Sequence, residues 1–157
     1  MRNLPVLLLL TLGAAVACSS GPSLTVSNTS VDAIYSCPPG ASDAAYDLHA
    51  TADVHNTTSS TVTINSITAV LTLEASKGAW QEKIGDSYNA GSAKFTPATV
   101  AAGATTTVQV TIASACTNSK AGNGGKDYGD YAVTLHIATS AGTFSDTSKN
   151  MHRILAA

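Results

Sequence analysis

The sequence predicts an all-β protein, a single domain built as a two-sheet sandwich of about seven antiparallel strands. From Ser23 onward, apolar residues recur with a period of two rather than 3.6. Turn-forming residues separate these runs about every eight to twelve positions, the spacing expected for short strands. Charged residues make up only 11% of the chain, whereas Thr, which suits a pleated strand, is abundant. With 157 residues, the chain has room for one such domain.

The two strongest strands are predicted on either side of a polar turn. Tyr46 to His55 alternates apolar and polar residues without interruption, and Asn56 to Ser60 forms the turn. Thr61 to Leu73 is the second run. Its apolar phase changes between Ile64 and Ile67, which predicts a bulge or bend at that point.

Weaker patterns predict the remaining strands. A first strand begins at Leu24, and Thr105 to Ile112 alternates Val and Ile with polar residues. Asp130 to Thr139 is followed by a tight turn and by a hairpin strand that starts at Thr143. A short strand is expected from Trp80 to Ile84.

The N-terminus has the pattern of a secretory signal. Arg2 gives it a positive start, and Leu4 to Val16 is apolar and uncharged. This run is too short for a membrane-spanning helix, which needs about 20 residues. Residues 1–17 are therefore predicted to direct export.

The four residues Ala15-Val16-Ala17-Cys18 resemble the lipobox of bacterial lipoproteins. The resemblance implies cleavage before Cys18 and a diacylglyceryl thioether on its sulfur. The composition after Cys18 predicts a flexible tether over residues 18–23, and the strand pattern predicts a folded domain over residues 24–157. Ala15 departs from the pattern, which most often has Leu there. The spacing Ala15-x-Ala17 also suits the ordinary signal peptidase, which would release a soluble protein. The flexible residues after Cys18 favour the anchored form.

The order of turns and strands also resembles immunoglobulin-like or fibronectin-like sandwiches of bacterial surface proteins. Three segments carry this likeness: the turn from Asn56 to Ser60, the approach from Pro97 to Gly103, and the run from Gly129 to Val133. Tyr131 resembles a tyrosine corner, which implies that its hydroxyl bonds to nearby backbone. Trp80 departs from antibody domains because it lies in a polar segment.

Cysteine parity and this resemblance together predict one disulfide. The chain has three cysteines, and lipidation of Cys18 would leave Cys37 and Cys116 as a pair. In such a sandwich, the strand from Tyr46 lies antiparallel to the strand from Thr105. Cys37 and Cys116 would then meet at one end of one sheet. Two unpaired thiols are the alternative.

No catalytic residues, metal site or cofactor are predicted. His49 and Asp53 lie on one polar strand face, but the spacing separates them by about 13 Å, and a zinc ion needs three or four converging ligands. Glu74 and Glu82 are interpreted as surface residues rather than paired catalytic carboxylates. The Gly122-Asn123-Gly124-Gly125 segment lacks the helix and Lys of a phosphate-binding loop.

A possible ligand surface is formed by four aromatic residues in predicted loops or edges: Trp80, Tyr88, Phe95 and Tyr128. Aromatic rings suit sugar or peptide recognition because they add contact area at low entropic cost. The favoured interpretation of Trp80 alone is that it caps the core. A formal net charge of −2 gives no basic patch for nucleic acid.

These observations predict a non-enzymatic extracytoplasmic protein held through Cys18 on a bacterial membrane. It would lie on the outer membrane or on the outer leaflet of the cytoplasmic membrane. There it would serve as a binding or structural module of the cell envelope, for a protein or glycan partner. The alternative is a soluble, secreted ligand-binding module, for which carbohydrate is the candidate ligand.

Overall fold

A computed structural model describes residues 23–40, 43–116 and 126–156. Within these ranges there are eleven strands, and no helix is long and apolar enough to cross a membrane. The strands are β1 (Leu24–Val31), β2 (Ile34–Ser36), β3 (Ala44–Asn56), β4 (Val62–Lys77), β5 (Ser87–Ser92), β6 (Lys94–Thr96), β7 (Thr99–Val100), β8 (Thr105–Cys116), β9 (Tyr128–Thr139), β10 (Gly142–Thr147) and β11 (His152–Leu155).

The strands form two sheets. One sheet has the order β1-β3-β8-β6, and the other has the order β2-β11-β9-β4-β5, with β10 paired to β9 and β7 paired to β4. In immunoglobulin nomenclature the main strands take the order ABED in the first sheet and GFCC′ in the second. The predicted two-sheet sandwich is therefore confirmed, with three short strands (β2, β7 and β11) added to the main set.

One sequence prediction about the strands is wrong. The segment from Trp80 to Ile84 is a loop rather than a strand, because Gly78 and Gly85 on either side turn the chain at positive φ angles of 80° and 93°. The main strands are antiparallel, as predicted, and two short strands add a parallel pair. β2 and β11 pair in parallel, with Ile34 opposite Arg153.

The irregularity predicted in the second strong strand is confirmed. The pairing of β4 with β9 shifts register between Ile64 and Ser66, where the apolar phase of the sequence changes. A second shift, between Leu73 and Ala75, was not predicted. It lies next to the loop that carries Trp80.

The core lies between the sheets and consists of the apolar members of the alternating strands. β3 and β9 show the alternation most clearly, because buried and less buried positions follow each other along both strands. Most of the large side chains that are completely buried are aliphatic. Those contributed by the central strands are Leu48, Val54, Ile67, Leu71, Leu73, Val108, Ile112, Leu135 and Ile137.

One disulfide, between Cys37 and Cys116, closes one end of the sandwich. The Cα atoms are 5.9 Å apart, so the predicted pairing is present. Its placement differs from the prediction in one respect. After β1 the chain crosses to the second sheet as β2, and the Cys37 amide donates to the Leu155 carbonyl of β11 at 2.9 Å. The disulfide therefore joins the two sheets instead of lying within one.

The opposite end of the sandwich is organised by Asn56. This buried side chain donates through Nδ2 to the carbonyls of Ser60, Val100 and Ala101, at 2.8 to 3.1 Å. Leu24 pairs with Asn56, so the described chain begins at this end. Ala44 pairs with Cys116 at the other end of β3.

Candidate functional site

A cavity of about 540 Å³ lies between the sheets at the disulfide end. Its size falls in the range of small-molecule sites. The end of β8, the start of β9, the C-terminal segment and the loop between β4 and β5 contribute its walls. The lining residues are Cys37, Trp80, Glu82, Asp86, Ser87, Tyr88, Ala113, Ser114, Ala115, Cys116, Tyr131, Ile154 and Ala156.

Three aromatic side chains form one wall of the cavity and hold one another in place. The indole N–H of Trp80 donates to the Tyr131 hydroxyl at 2.9 Å. The rings of Tyr88 and Tyr131 meet nearly at right angles, at 75° with centroids 6.0 Å apart. The Tyr88 hydroxyl is 3.3 Å from the Ser114 hydroxyl of β8. The wall therefore connects both sheets.

Gly129 leaves the space that the Trp80 ring occupies. A Cβ atom at position 129 would lie 2.5 Å from the ring carbon Cε2 of Trp80, which is closer than real contacts allow. Tyr131 was expected to bond to nearby backbone, by its resemblance to a tyrosine corner. That expectation is wrong. The Trp80 loop folds over the start of β9, and the Tyr131 hydroxyl accepts a hydrogen bond from the Trp80 indole instead.

Two acidic side chains, Glu82 and Asp86, also line the cavity. Asp86 is fixed by local backbone contacts, since its Oδ2 accepts from the Lys83 amide at 2.8 Å and its carbonyl accepts from the Leu73 amide at 3.0 Å. Burial raises the pKa of Tyr88 and of Tyr131, and the negative charge of Glu82 raises both pKa values further. Glu82 therefore acts electrostatically on the aromatic wall.

A buried polar cluster lies near the cavity, around His152. His152 is 1% exposed, and its Nε2 lies 2.9 Å from the Tyr46 hydroxyl, while its Nδ1 lies 2.7 Å from the Asp32 carbonyl. The Tyr46 ring stacks on Tyr35 with centroids 3.8 Å apart. Through Tyr46 of β3, the cluster connects β2 and β11 of the second sheet to the first sheet.

His152 predicts a pH dependence of stability. Burial lowers the pKa of His152 in the folded protein below its usual 6.5, and this outweighs the opposing effect of the Asp32 carbonyl and carboxylate. As the pH falls through 6.5, the unfolded chain binds the proton first, so the free energy of unfolding decreases. We expect urea unfolding to show lower stability at pH 5.5 than at pH 7.5. In a His152→Gln variant, the difference in unfolding free energy between the two pH values should become smaller. An unchanged difference would show that other groups cause the pH dependence.

The structure brings together two of the four aromatic residues predicted to form a ligand surface. Trp80 and Tyr88 line the cavity, and both also pack against the hydrophobic core. Phe95 lies in β6, opposite Val110 and away from the cavity. Tyr128 lies under the Arg153 guanidinium, whose Cζ is 3.9 Å from the ring centroid. Phe95 and Tyr128 therefore do not belong to the same site.

Tyr131 and Glu82 line the cavity, although neither was predicted to belong to the ligand surface. Tyr131 was expected only as a tyrosine corner, and nothing in the sequence pattern indicated that Trp80 would reach it. Glu82 was treated as a surface residue with Glu74. Glu74 is exposed on β4, whereas the carboxylate of Glu82 has one buried oxygen and lines the cavity.

The histidines and aspartates of the polar strand face have separate partners. His49 Nδ1 lies 3.0 Å from Asp32, and His55 Nδ1 lies 2.9 Å from the Thr105 hydroxyl. Hydrogen bonds from Thr107 and Asn28 lower the pKa of Asp53. Within the ranges described above, no group of three potential metal-ligating side chains comes together. Cys18, the tether up to residue 22 and the Gly122–Gly125 segment lie outside the described residues.

Comparison with known proteins assigns no family. No protein-family profile matches the chain, and no curated sequence matches it significantly. Among solved structures, the sporulation control protein Spo0M from Bacillus subtilis is 16% identical with a TM-score of 0.38. That match covers 85% of this chain and 49% of Spo0M, so the chain spans about half of that protein's length. The seventh PapD-like domain of human CEP192 is 12% identical with a TM-score of 0.33, over 94% of this chain and 96% of that one.

Proposed function

We propose that the protein is a non-enzymatic binding module of the bacterial cell envelope, held on a membrane by lipid on Cys18. The observation that carries the proposal is the cavity at the disulfide end. Its lining combines three aromatic side chains with small apolar ones and only a few polar groups, which is the composition expected of a ligand pocket. A disulfide in its wall suits the oxidising environment outside the cytoplasm.

The start of β1 and the cavity lie at opposite ends of the sandwich. β1 begins at Leu24 beside Asn56, and the cavity lies beside Cys116, which pairs with the first residue of β3. β3 has 13 residues, and at about 3.3 Å per residue it separates the two ends by about 40 Å. A domain anchored through Cys18 would therefore present its cavity away from the membrane, where partners have access.

Fatty-acid labelling tests the anchor. A bacterial host that produces the protein is fed an alkyne-labelled fatty acid, and the protein is then isolated. We expect the native chain to carry the label and to partition into Triton X-114, whereas a Cys18→Ala variant should carry none. Cys37→Ser serves as the matched control, because it removes a different cysteine and should keep the label. An unlabelled native chain in the aqueous phase would rule out the lipid anchor.

The second candidate is a soluble, secreted ligand-binding module. The spacing of Ala15 and Ala17 favours it, since ordinary signal peptidase accepts this pair. Both candidates use the same cavity, so ligand binding does not separate them. The labelling experiment does, because the secreted form would appear in the medium without lipid.

A further inference from the structure

The cavity has a distinct electrostatic character. Its described lining contains two acidic side chains, Glu82 and Asp86, and no Lys, Arg or His. The carboxylates line the same cavity as the rings of Trp80, Tyr88 and Tyr131. Aromatic rings attract cations through the negative potential of their faces, and this attraction strengthens where water is excluded.

The arrangement of the rings suits a rounded cation. Tyr88 and Tyr131 make an edge-to-face contact at 75°, and the Trp80 indole is tied to this pair by its hydrogen bond to Tyr131, so rings in different planes border the cavity. A cation surrounded by methyl groups can contact several rings at once, and its desolvation costs little free energy. A compact ammonium ion is more strongly hydrated, so it would lose more hydration free energy on entering the cavity.

From these features we infer that the cavity binds an alkylated ammonium group, of the quaternary or tertiary kind, with Glu82 and Asp86 supplying the opposite charge. The inference rests on the proposed function, since it names the ligand class of that same pocket. The remaining lining agrees with it. Ala113, Ala115, Ile154 and the disulfide offer apolar contact, which suits methyl and methylene groups.

A neutral sugar fits the same walls less well. Sugar hydroxyls need many hydrogen-bonding partners once they leave water. The uncharged polar side chains in the lining, apart from the aromatic ones, are Ser87 and Ser114. Ser114 already lies 3.3 Å from the Tyr88 hydroxyl, and Ser87 lies 2.8 Å from the Thr72 hydroxyl.

Choline and its uncharged isostere, 3,3-dimethyl-1-butanol, provide the direct test. They have the same shape and differ in the positive charge. Trp80 is the only tryptophan of the chain, so its fluorescence reports on the cavity. We expect choline to shift this fluorescence in a saturable way and to bind at least about tenfold more tightly than the isostere, as measured by calorimetry. Equal affinities, or no binding of choline up to 50 mM, would overturn the inference.

Glu82→Gln and Glu74→Gln form a matched pair of variants, because these are the two glutamates of the chain and only Glu82 lines the cavity. We expect Glu82→Gln to weaken choline binding by about tenfold while the affinity for the isostere stays the same. Glu74→Gln should leave both unchanged. If Glu82→Gln alters the unfolding midpoint, the choline affinity of Asp86→Asn tests the role of the carboxylates instead. Equal choline affinity in all three variants would contradict the assigned role of the carboxylates.

The two proposals fail separately. If the isostere binds as well as choline, the cavity remains a binding site and only the charge selectivity is lost. If fatty-acid labelling fails while choline binds, the anchor is wrong and the ligand class stands. Saturable binding of choline that requires Glu82 supports the inference in either case.

Discussion

Removal of the Cys37–Cys116 disulfide is expected to lower the free energy of unfolding by about 4 kcal/mol. The bond closes a loop with a sequence separation of 79 residues, so its loss frees a large part of the unfolded chain. For a domain of this size, the thermal midpoint should fall by roughly 10 to 15 °C. Because both cysteines line the cavity and join the two sheets, we also expect weaker ligand binding below the midpoint.

Guanidinium unfolding, followed by Trp80 fluorescence and by circular dichroism, measures this effect. Cys37→Ser/Cys116→Ser is compared with its parent in a Cys18→Ala background, so that no third thiol can exchange. Reduction of the parent with dithiothreitol should reproduce the stability of the double variant. A loss below about 1 kcal/mol would show that the two sheets hold this end together without the covalent link.

Leu71→Ala is expected to destabilise the domain by about 2 to 5 kcal/mol. Leu71 is 0% exposed in β4, where it pairs with Val133 of β9 on one side and with Tyr88 of β5 on the other. Truncation to Ala removes apolar contacts in the centre of the second sheet and leaves a void that neighbouring β-strands cannot close. The same void would loosen the strand that carries Tyr88.

The matched control is Thr63→Ala in the same strand. Thr63 is exposed, so its truncation should change the unfolding free energy by about 0.5 kcal/mol or less. Urea titration of both variants gives the comparison, and the denaturant dependence should stay the same in each. Similar losses at positions 63 and 71 would mean that β4 does not bury the face assigned to it.

The long strands could be predicted because their sequences alternate without ambiguity. Tyr46 to His55 lies within β3, and the predicted neighbour from Thr105 lies within β8, in the predicted antiparallel pairing. The bulge in β4 could also be predicted, because a change of apolar phase within a strand has no other simple explanation.

The short strands could not be predicted, because their formation depends on distant pairing. β2 has three residues and β11 has four, which is too few for a period to appear. β11 forms by pairing with β9, and β2 forms by pairing with β11, so both depend on contacts between residues far apart in sequence. The cavity escaped prediction for the same reason. The position of the Trp80 ring depends on the space left by Gly129 and on the hydrogen bond to Tyr131. Neither contact can be predicted from the pattern of a single sequence.

The intact mass of the mature protein, recorded before and after reduction and thiol alkylation, tests the central claim most directly. We expect a chain that begins at Cys18, carries a diacylglyceryl group and shows no free thiol until reduction exposes Cys37 and Cys116. After reduction, two alkyl groups should be added and not three. An unlipidated chain with a free Cys18 thiol would contradict the account, as would a mass in which Cys37 and Cys116 are alkylated before reduction.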